Sequence, residues 1–227
     1  ARDRAGVKPL YYYANQTEFM FSSEIKSFHK YPLFVKELNN EILPYYFQFG
    51  YILAPHTIFK NTYKLQPGHF LAYDLVTQTY DLKEYWSVDE CYKQEQFDKN
   101  EGDILNDLEE LLTDAVNLRM VSDVPVGVFL SGGIDSSLVT ALLSQDKNRK
   151  LHTFTIGFND KKYNEAEHAK EIAKHLGTEH TEYYVTKKDM FDRVETLPFY
   201  YDEPFGDSST IPTMVGKEEN GEKKKRK

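Results

Sequence analysis

Between Ser131 and Ser137 the chain reads Ser-Gly-Gly-Ile-Asp-Ser-Ser, with the apolar run VPVGVFL before it and LVTALLSQ after it. That order predicts a buried strand, a tight turn and a helix. Gly132 and Gly133 permit backbone angles closed to other residues and put no side chain in the way of a bulky anion. A helix starting directly after them presents unpaired N–H groups and the positive end of its dipole, which together form an anion site. Ser131, Ser136 and Ser137 add hydroxyl donors. A carboxylate in this position repels phosphate unless it holds a cation, so Asp135 is read as a Mg²⁺ ligand bridging phosphate oxygens. The Lys of GxxxxGK[ST] is absent, which makes this a different kind of phosphate loop. The plain alternative is a serine-capped helix after a glycine turn.

The surrounding elements can position such a loop. Ile104, Leu105, Leu108, Leu111, Leu112, Ala115 and Val116 fall on one helical face. VPVGVFL reads as a strand buried on both faces of a parallel sheet. After the loop helix come strand LHTFTIGF, helix NEAEHAKEIAKHLG, strand HTEYYVT and helix KKDMFDRVETL, the last stopped by Pro198. In the second helix Asn164 is the expected cap, Glu167 three residues on makes a capping-box variant, and Gly177 ends it. Alternating strands and helices imply right-handed crossovers and a parallel α/β sheet. Ligands of such sheets bind at the carboxyl ends of the strands, where Ser131–Ser137 falls.

Residues 1–90 read differently, as mostly β. VKPLYYYA and EFMFSS are short aromatic strands around the turn NQT, and HFLAYDL and QTYDLKEYW form a hairpin. SSEIKSF can begin a short helix capped by Ser23, and LNNEILPYYFQFGYIL another, interrupted by Pro44. Residues 91–102 are polar and read as linker, 103–215 as the α/β region, and 216–227, ending KKKRK, as a charged, disordered tail.

Composition narrows the function classes. The net charge of −8 disfavours nucleic-acid binding. Cys91 is the single cysteine, so no disulfide framework exists and a reducing cytoplasm fits. No apolar run approaches the roughly 20 residues of a membrane span, and ARDRAGVKPLYYY has no signal-peptide pattern. His168, His175 and His180 lack the further ligands a zinc site needs and read as surface residues. The 17 tyrosines suit half-buried sheet positions.

SGGIDSS resembles the pyrophosphate loop of the N-type ATP pyrophosphatases, which cut ATP between its α and β phosphates. RDRAGVKPLYYY, FSSEIKSF, TIFKNTYKLQPGHFLAYD, EYW, GVFLSGGIDSS, TFTIGF, YNEAEHAKEIAKHLGTEH and DEPFGDSSTIPT occur in this order. Together they resemble glutamine-hydrolysing asparagine synthetase from Arg2 to about Val215. A β-lactam synthetase or another amide-forming relative is the close alternative. The resemblance implies a doubly wound parallel sheet of the adenine nucleotide alpha-hydrolase kind. Before it would come the C-terminal part of an N-terminal-nucleophile (class II) glutamine amidotransferase domain. It implies ATP and Mg²⁺, aspartate and glutamine as small-molecule partners, no nucleic acid or membrane, a cytoplasmic location, and a homodimer for the full-length family.

Carried over by position, the ATP-binding residues are Leu130, Ser131, Gly132, Gly133, Asp135, Ser136, Ser137, Ile156 and Gly157. Leu130 and Ile156 contact adenine through their backbones, Gly157 lets the nucleotide lie close to its strand, and Asp135 holds the metal. Asp202, Glu203, Asp207 and Ser208 form an acidic loop that shapes a substrate pocket or touches metal, or whose serines simply cap the next helix. The family's nucleophilic cysteine and second glycine-rich string, SG-[DE]-G-x-DE, have no counterpart here. A truncated chain, inactive alone, is therefore expected. A non-catalytic ATP-binding partner of a full-length synthetase and a ligand-free scaffold are the rival readings.

Overall fold

Tyr11–Ala14 (β1) and Phe19–Ser22 (β2) pair antiparallel, and β1 pairs on its other side with Thr62–Lys64 (β3), giving the order β2-β1-β3. The turn after β1 closes because the Asn15 side-chain oxygen accepts the N–H groups of Thr17 and Glu18. His69–Asp74 (β4) and Thr79–Glu84 (β5) form the expected hairpin. Asp74 ties its turn by accepting from Val76 and Thr77. Aromatic rings pair between the strands. Tyr12 stacks on Tyr63 at 5.2 Å between ring centres and meets Tyr80 edge-on, while Phe19 stacks on Tyr73 at 4.2 Å. The core is Tyr13, Ile25, Phe28, Ile42, Ile52, Ile58 and Phe59.

In the computed structural model, which describes residues 1–146, 150–159, 164–207 and 209–214, the chain divides into two units. One comprises Ala1–Gln96 with Thr196–Asp207, and the other is built on Phe97–Glu195. Ser208 and the lysine-rich tail lie outside the described residues.

Several local expectations change. SSEIKSF forms a 3₁₀ helix, Ile25–Lys30, with Glu24 rather than Ser23 in the capping position and no local side chain bonded there. Pro44 does not interrupt a helix. It opens Leu43–Phe49 (α1), where a first-turn proline lacks only an N–H that has no intrahelical acceptor anyway. Pro198 likewise begins the short helix Leu197–Tyr200 after Lys187–Val194 has ended. The polar stretch read as linker overlaps a one-turn helix, Val88–Tyr92, capped by Ser87.

In the second unit Gly127–Phe129 (β6), His152–Phe158 (β7) and Glu179–Val185 (β8) are parallel and lie in the order β6-β7-β8. Helix Ile134–Ser144 (α4) joins the first two strands and Ala166–Leu176 (α5) the second two. Ala166, Ala169 and Ala173 recur on one face of α5 and are fully buried, so the helix axis can approach β7 and β8 closely. Gly177, left-handed at φ +70°, ends α5 as expected. Its start differs: Glu165 occupies the cap without a side-chain bond, and Asn164 accepts from Ala166 N–H and Phe158 N–H at 3.3 Å each.

VPVGVFL is not a strand buried on both faces. Only Gly127–Phe129 is extended, it pairs with β7 alone among the described residues, and Phe129 is 49% exposed. An edge strand with one neighbour cannot be covered as a central one is. The helix Glu101–Leu118 (α3) packs on α4, which half-buries Leu112, Ala115 and Val116 and leaves Ile104, Leu105, Leu108 and Leu111 exposed. No described helix is long and apolar enough to cross a membrane.

Candidate functional site

The loop Ser131–Ser137 begins two residues beyond the end of β6 and runs directly into α4, at the carboxyl ends of the parallel strands. Leu130 anchors its first end: it is 1% exposed, its N–H donates to Phe154 O at 2.8 Å, and its carbonyl accepts the buried hydroxyl of Thr155. The loop then turns at Gly132, whose φ of +82° is left-handed. A side chain there would sit 3.1 Å from His168 Cβ and 3.2 Å from Ala169 N, so the glycine is required by conformation and by the approach of the first turn of α5.

The serines hold the loop to itself. Ser131 N–H donates to Ser136 Oγ at 3.2 Å, the two hydroxyls lie 2.9 Å apart, and Ser136 and Ser137 hydroxyls donate to Gly133 O at 3.2 and 2.7 Å. Gly133 is the N-cap of α4 and no side chain caps it. Among the described residues the N–H groups of Ile134, Asp135 and Ser136 therefore lack an intrahelical acceptor and a side-chain one. The plain reading as a serine-capped helix fails for the donors of Ile134, Asp135 and Ser136: Ser131 Oγ accepts only Gly133 N–H, at 3.4 Å, and the other serine hydroxyl bonds go to Gly133 O and between Ser131 and Ser136.

Asp135 is exposed in the first turn of α4. Among the described residues no three His, Cys, Asp or Glu side chains gather to hold a metal ion. One carboxylate beside an anion cradle suits Mg²⁺ that arrives with nucleotide phosphates, because Mg²⁺ completes its octahedron with phosphate oxygens and water. It does not suit a metal site built by protein alone.

Ile156 lies two residues beyond Phe154 on β7, so its backbone groups face the same side, where β6 has already ended at Phe129. Gly157 differs from its expected role. It is inside β7, and the room left by its missing side chain is filled by the Tyr184 ring, 2.8 Å from where a Cβ would sit. That space is closed to a nucleotide. Thr155 carried no signal in the sequence, since a threonine inside a strand is ordinary; only the pairing of β6 with β7 brings its hydroxyl to Leu130.

His180 is not a surface residue. Its Nδ1 lies 3.0 Å from Thr153 Oγ1, its Nε2 is buried without a hydrogen-bond partner among the described residues, and burial lowers its pKa. Asp202 and Glu203 belong to the first unit, and the glycine loop to the second. The Asp202 carboxylate accepts Ile25 N–H at 2.5 Å, and Glu203 accepts Ile58 N–H at 2.7 Å and pairs with Lys64 at 2.7 Å. Burial pushes the Glu203 carboxyl above its usual range, against the pull of Lys64. Burial, reinforced by the charges of Glu203 and Asp202, also pushes the Tyr11 hydroxyl up to about 12. Both carboxylates are engaged with protein and are not open ligands. Asp207 is exposed.

A glycine-serine loop with these features has known counterparts. The profile of the asparagine synthase family matches residues 107–221, more than half of the chain. The chain belongs to the asparagine synthase family. Residues 1–86 match the glutamine amidotransferase domain. A putative glutamine-hydrolyzing asparagine synthetase 2 of Methanocaldococcus jannaschii is 41% identical over 220 residues, covering 94% of this chain and 41% of the relative. Asparagine synthetase [glutamine-hydrolyzing] 1 of Bacillus subtilis is 32% identical over 227 residues, covering 96% and 34%. The chain thus spans between a third and a half of the length of these curated relatives. In asparagine synthase terms the glycine loop and β6 to β8 fall in the synthase match, and β1 to β5 in the amidotransferase match.

Proposed function

We propose that this chain carries the Mg²⁺·ATP-binding part of a glutamine-dependent amide ligase of the asparagine synthetase type. In that reaction an oxygen of the aspartate β-carboxylate attacks the α-phosphorus of ATP. The bond to the β-phosphate breaks, pyrophosphate leaves, and an acyl adenylate forms. Ammonia released from glutamine then attacks the acyl carbon and displaces AMP, leaving asparagine. The observation that carries this reading is the uncapped start of α4, with its glycine-serine loop at the end of a parallel strand, in a chain of this family.

The roles follow from which groups have bonding capacity left. N–H groups of Ile134, Asp135 and Ser136 would hold the departing pyrophosphate, with Gly132 and Gly133 leaving it room. The hydroxyls of Ser131, Ser136 and Ser137 rotate from Gly133 O and from each other toward phosphate oxygens. Asp135 would hold Mg²⁺, which when bound offsets the phosphate charge. Leu130 N–H already donates to Phe154, so only the second lone pair of its carbonyl remains, which fits a donor such as the exocyclic amine of adenine. Ile156, past the end of β6, would supply the complementary backbone edge.

The same reading makes the parallel sheet part of a doubly wound fold, and residues 1–86 part of an N-terminal-nucleophile glutaminase. It assigns aspartate and glutamine as substrates, and carries a homodimer and a cytoplasmic location. Calorimetric titration with ATP and Mg²⁺ tests it. Saturable binding is expected, weakened about tenfold or more by Asp135→Ala, equivalent to roughly 1.4 kcal/mol. Wild-type chain that is folded yet binds no Mg²⁺·ATP refutes it.

A further inference from the structure

The segment Thr196–Asp207 continues at both ends into the chain of the parallel-sheet unit, yet it belongs to the β-rich unit. Its attachments there are polar and non-local. Lys26 Nζ donates to the carbonyls of Phe199 and Tyr200, at 3.0 and 3.2 Å, so an ammonium sits on the last carbonyls of helix Leu197–Tyr200. Asp202 Oδ2 accepts the N–H of Ile25, the first residue of the 3₁₀ helix that has no local side-chain cap. Asp202 thereby caps, from 177 residues away, a helix whose own sequence leaves it uncapped.

Glu203 makes the second anchor. One carboxylate oxygen accepts Ile58 N–H, and the other meets Lys64 Nζ, which also donates to Ile52 O at 2.6 Å. Both acidic side chains are only 10% exposed. Among the described residues Asp202 Oδ1 has no hydrogen-bond partner, and its charge is offset by Lys26 Nζ at 3.4 Å, which donates to the two carbonyls. Gly206 N–H closes the segment onto Gly50 O at 2.7 Å.

We infer that Asp202 and Glu203 form a two-point latch, completed by Lys26 and Lys64, that anchors the strap Thr196–Asp207 in the β-rich unit. The latch, rather than contact with substrate or metal, is the role of these two acids. They are positioning residues: they hold the strap on the 3₁₀ helix and the Ile58–Lys64 stretch of its own unit. The geometry gives the reason. A buried carboxylate that accepts a backbone N–H and faces a lysine is held by both, even where one oxygen, as Asp202 Oδ1, accepts no hydrogen bond, and withdrawing it to bind a cation would strand both partners.

The test uses the full chain with Asp202→Asn, Glu203→Gln, the double variant and, from the other side, Lys64→Met. Amide hydrogen exchange is read in peptides spanning Ile25, Ile58 and 196–207, and Mg²⁺·ATP affinity by calorimetry. The double variant is expected to speed exchange in all three regions by about tenfold or more. Lys64→Met should do so at Ile58 and the strap, and affinity should stay within about twofold of wild type. Unchanged exchange in the double variant overturns the latch, and so does a loss of Mg²⁺ or ATP affinity without faster exchange. If the double variant does not fold, the single variants decide by the same criteria. A wild type that binds no nucleotide would overturn the ligase reading while the exchange data still judged the latch.

Discussion

Gly132→Ala probes the loop most directly, because its effect separates into two parts that other glycines isolate. An alanine at φ +82° carries a left-handed penalty of about 1–2 kcal/mol. Its Cβ would also lie 3.1 Å from His168 Cβ and 3.2 Å from Ala169 N, inside the ordinary carbon contact distance of about 3.5–4.0 Å. Those neighbours belong to the first turn of α5, so relief requires moving the helix or the loop by a few tenths of an ångström, adding about 1 kcal/mol. The total is about 2–3 kcal/mol, or roughly 4–12 °C in melting temperature for a chain of this size. Gly177→Ala isolates the first part: φ is +70° and nothing lies within 4 Å of the added carbon. Gly133→Ala isolates neither, since its φ is −74° and its nearest neighbour is Ser131 Oγ at 3.4 Å. Thermal melts should rank Gly132→Ala below Gly177→Ala and both below Gly133→Ala, which should match wild type. Titration with Mg²⁺·ATP should weaken for Gly132→Ala through the displaced loop and for Gly133→Ala through the carbon added beside the phosphate path. A Gly132→Ala variant as stable as Gly133→Ala would refute the reasoning.

Three further outcomes follow from the same contacts. Thr155→Val leaves the buried Leu130 carbonyl without its donor and should lose about 1 kcal/mol in urea unfolding, with Thr155→Ser restoring most of it. Asp135→Asn should weaken ATP binding in the presence of Mg²⁺ but not in its absence, read by paired titrations. The pH dependence has two windows. Burial lowers the pKa of His29 and His180, so the unfolded chain takes up protons first and stability should fall as pH drops below about 6.5. Hydrogen bonds from backbone and side chains hold Asp3, Asp74, Glu182 and Asp189 below the usual carboxylate range. Their contribution is present above about pH 4.5 and is lost as pH falls through their depressed values. Urea midpoints at pH 7.5, 5.5 and 3.5 check both, and His180→Gln should flatten the first.

The parts legible in the sequence are those whose cause is local. The hairpin of β4 and β5, the turn after β1, the glycine at the end of α5 and the strand–loop–helix around Ser131–Ser137 each follow from residues a few positions apart. Misreadings arose where a local signal admits two structures. Pro44 and Pro198 can stop a helix or start one, because proline is tolerated in a first turn, where both stand, and not further in. VPVGVFL carries the composition of a central strand, but only pairing tells whether a second neighbour is present. Gly157 reads equally as room for a ligand or room for a ring, and Tyr184, a strand away, decides.

Non-local satisfaction explains the rest, and Asp202 is the sharpest case. In the sequence, Asp-Glu-Pro followed by Gly-Asp-Ser-Ser has the acids and hydroxyls of a ligand loop, and nothing nearby accounts for them otherwise. The accounting lies at Ile25, in a helix whose own Ser23 is a plausible cap that goes unused. The two errors are one error: the cap expected from Ser23 and the ligand expected from Asp202 disappear together once the carboxylate is placed on the Ile25 N–H. A helix start without a local cap and an acid without a local partner are complementary deficits. Matching such deficits across a sequence, here Glu24-Ile25 with Asp202 and the Ile58 N–H with Glu203, distinguishes acids that hold a fold from acids that remain available, as Asp135 does, to chemistry.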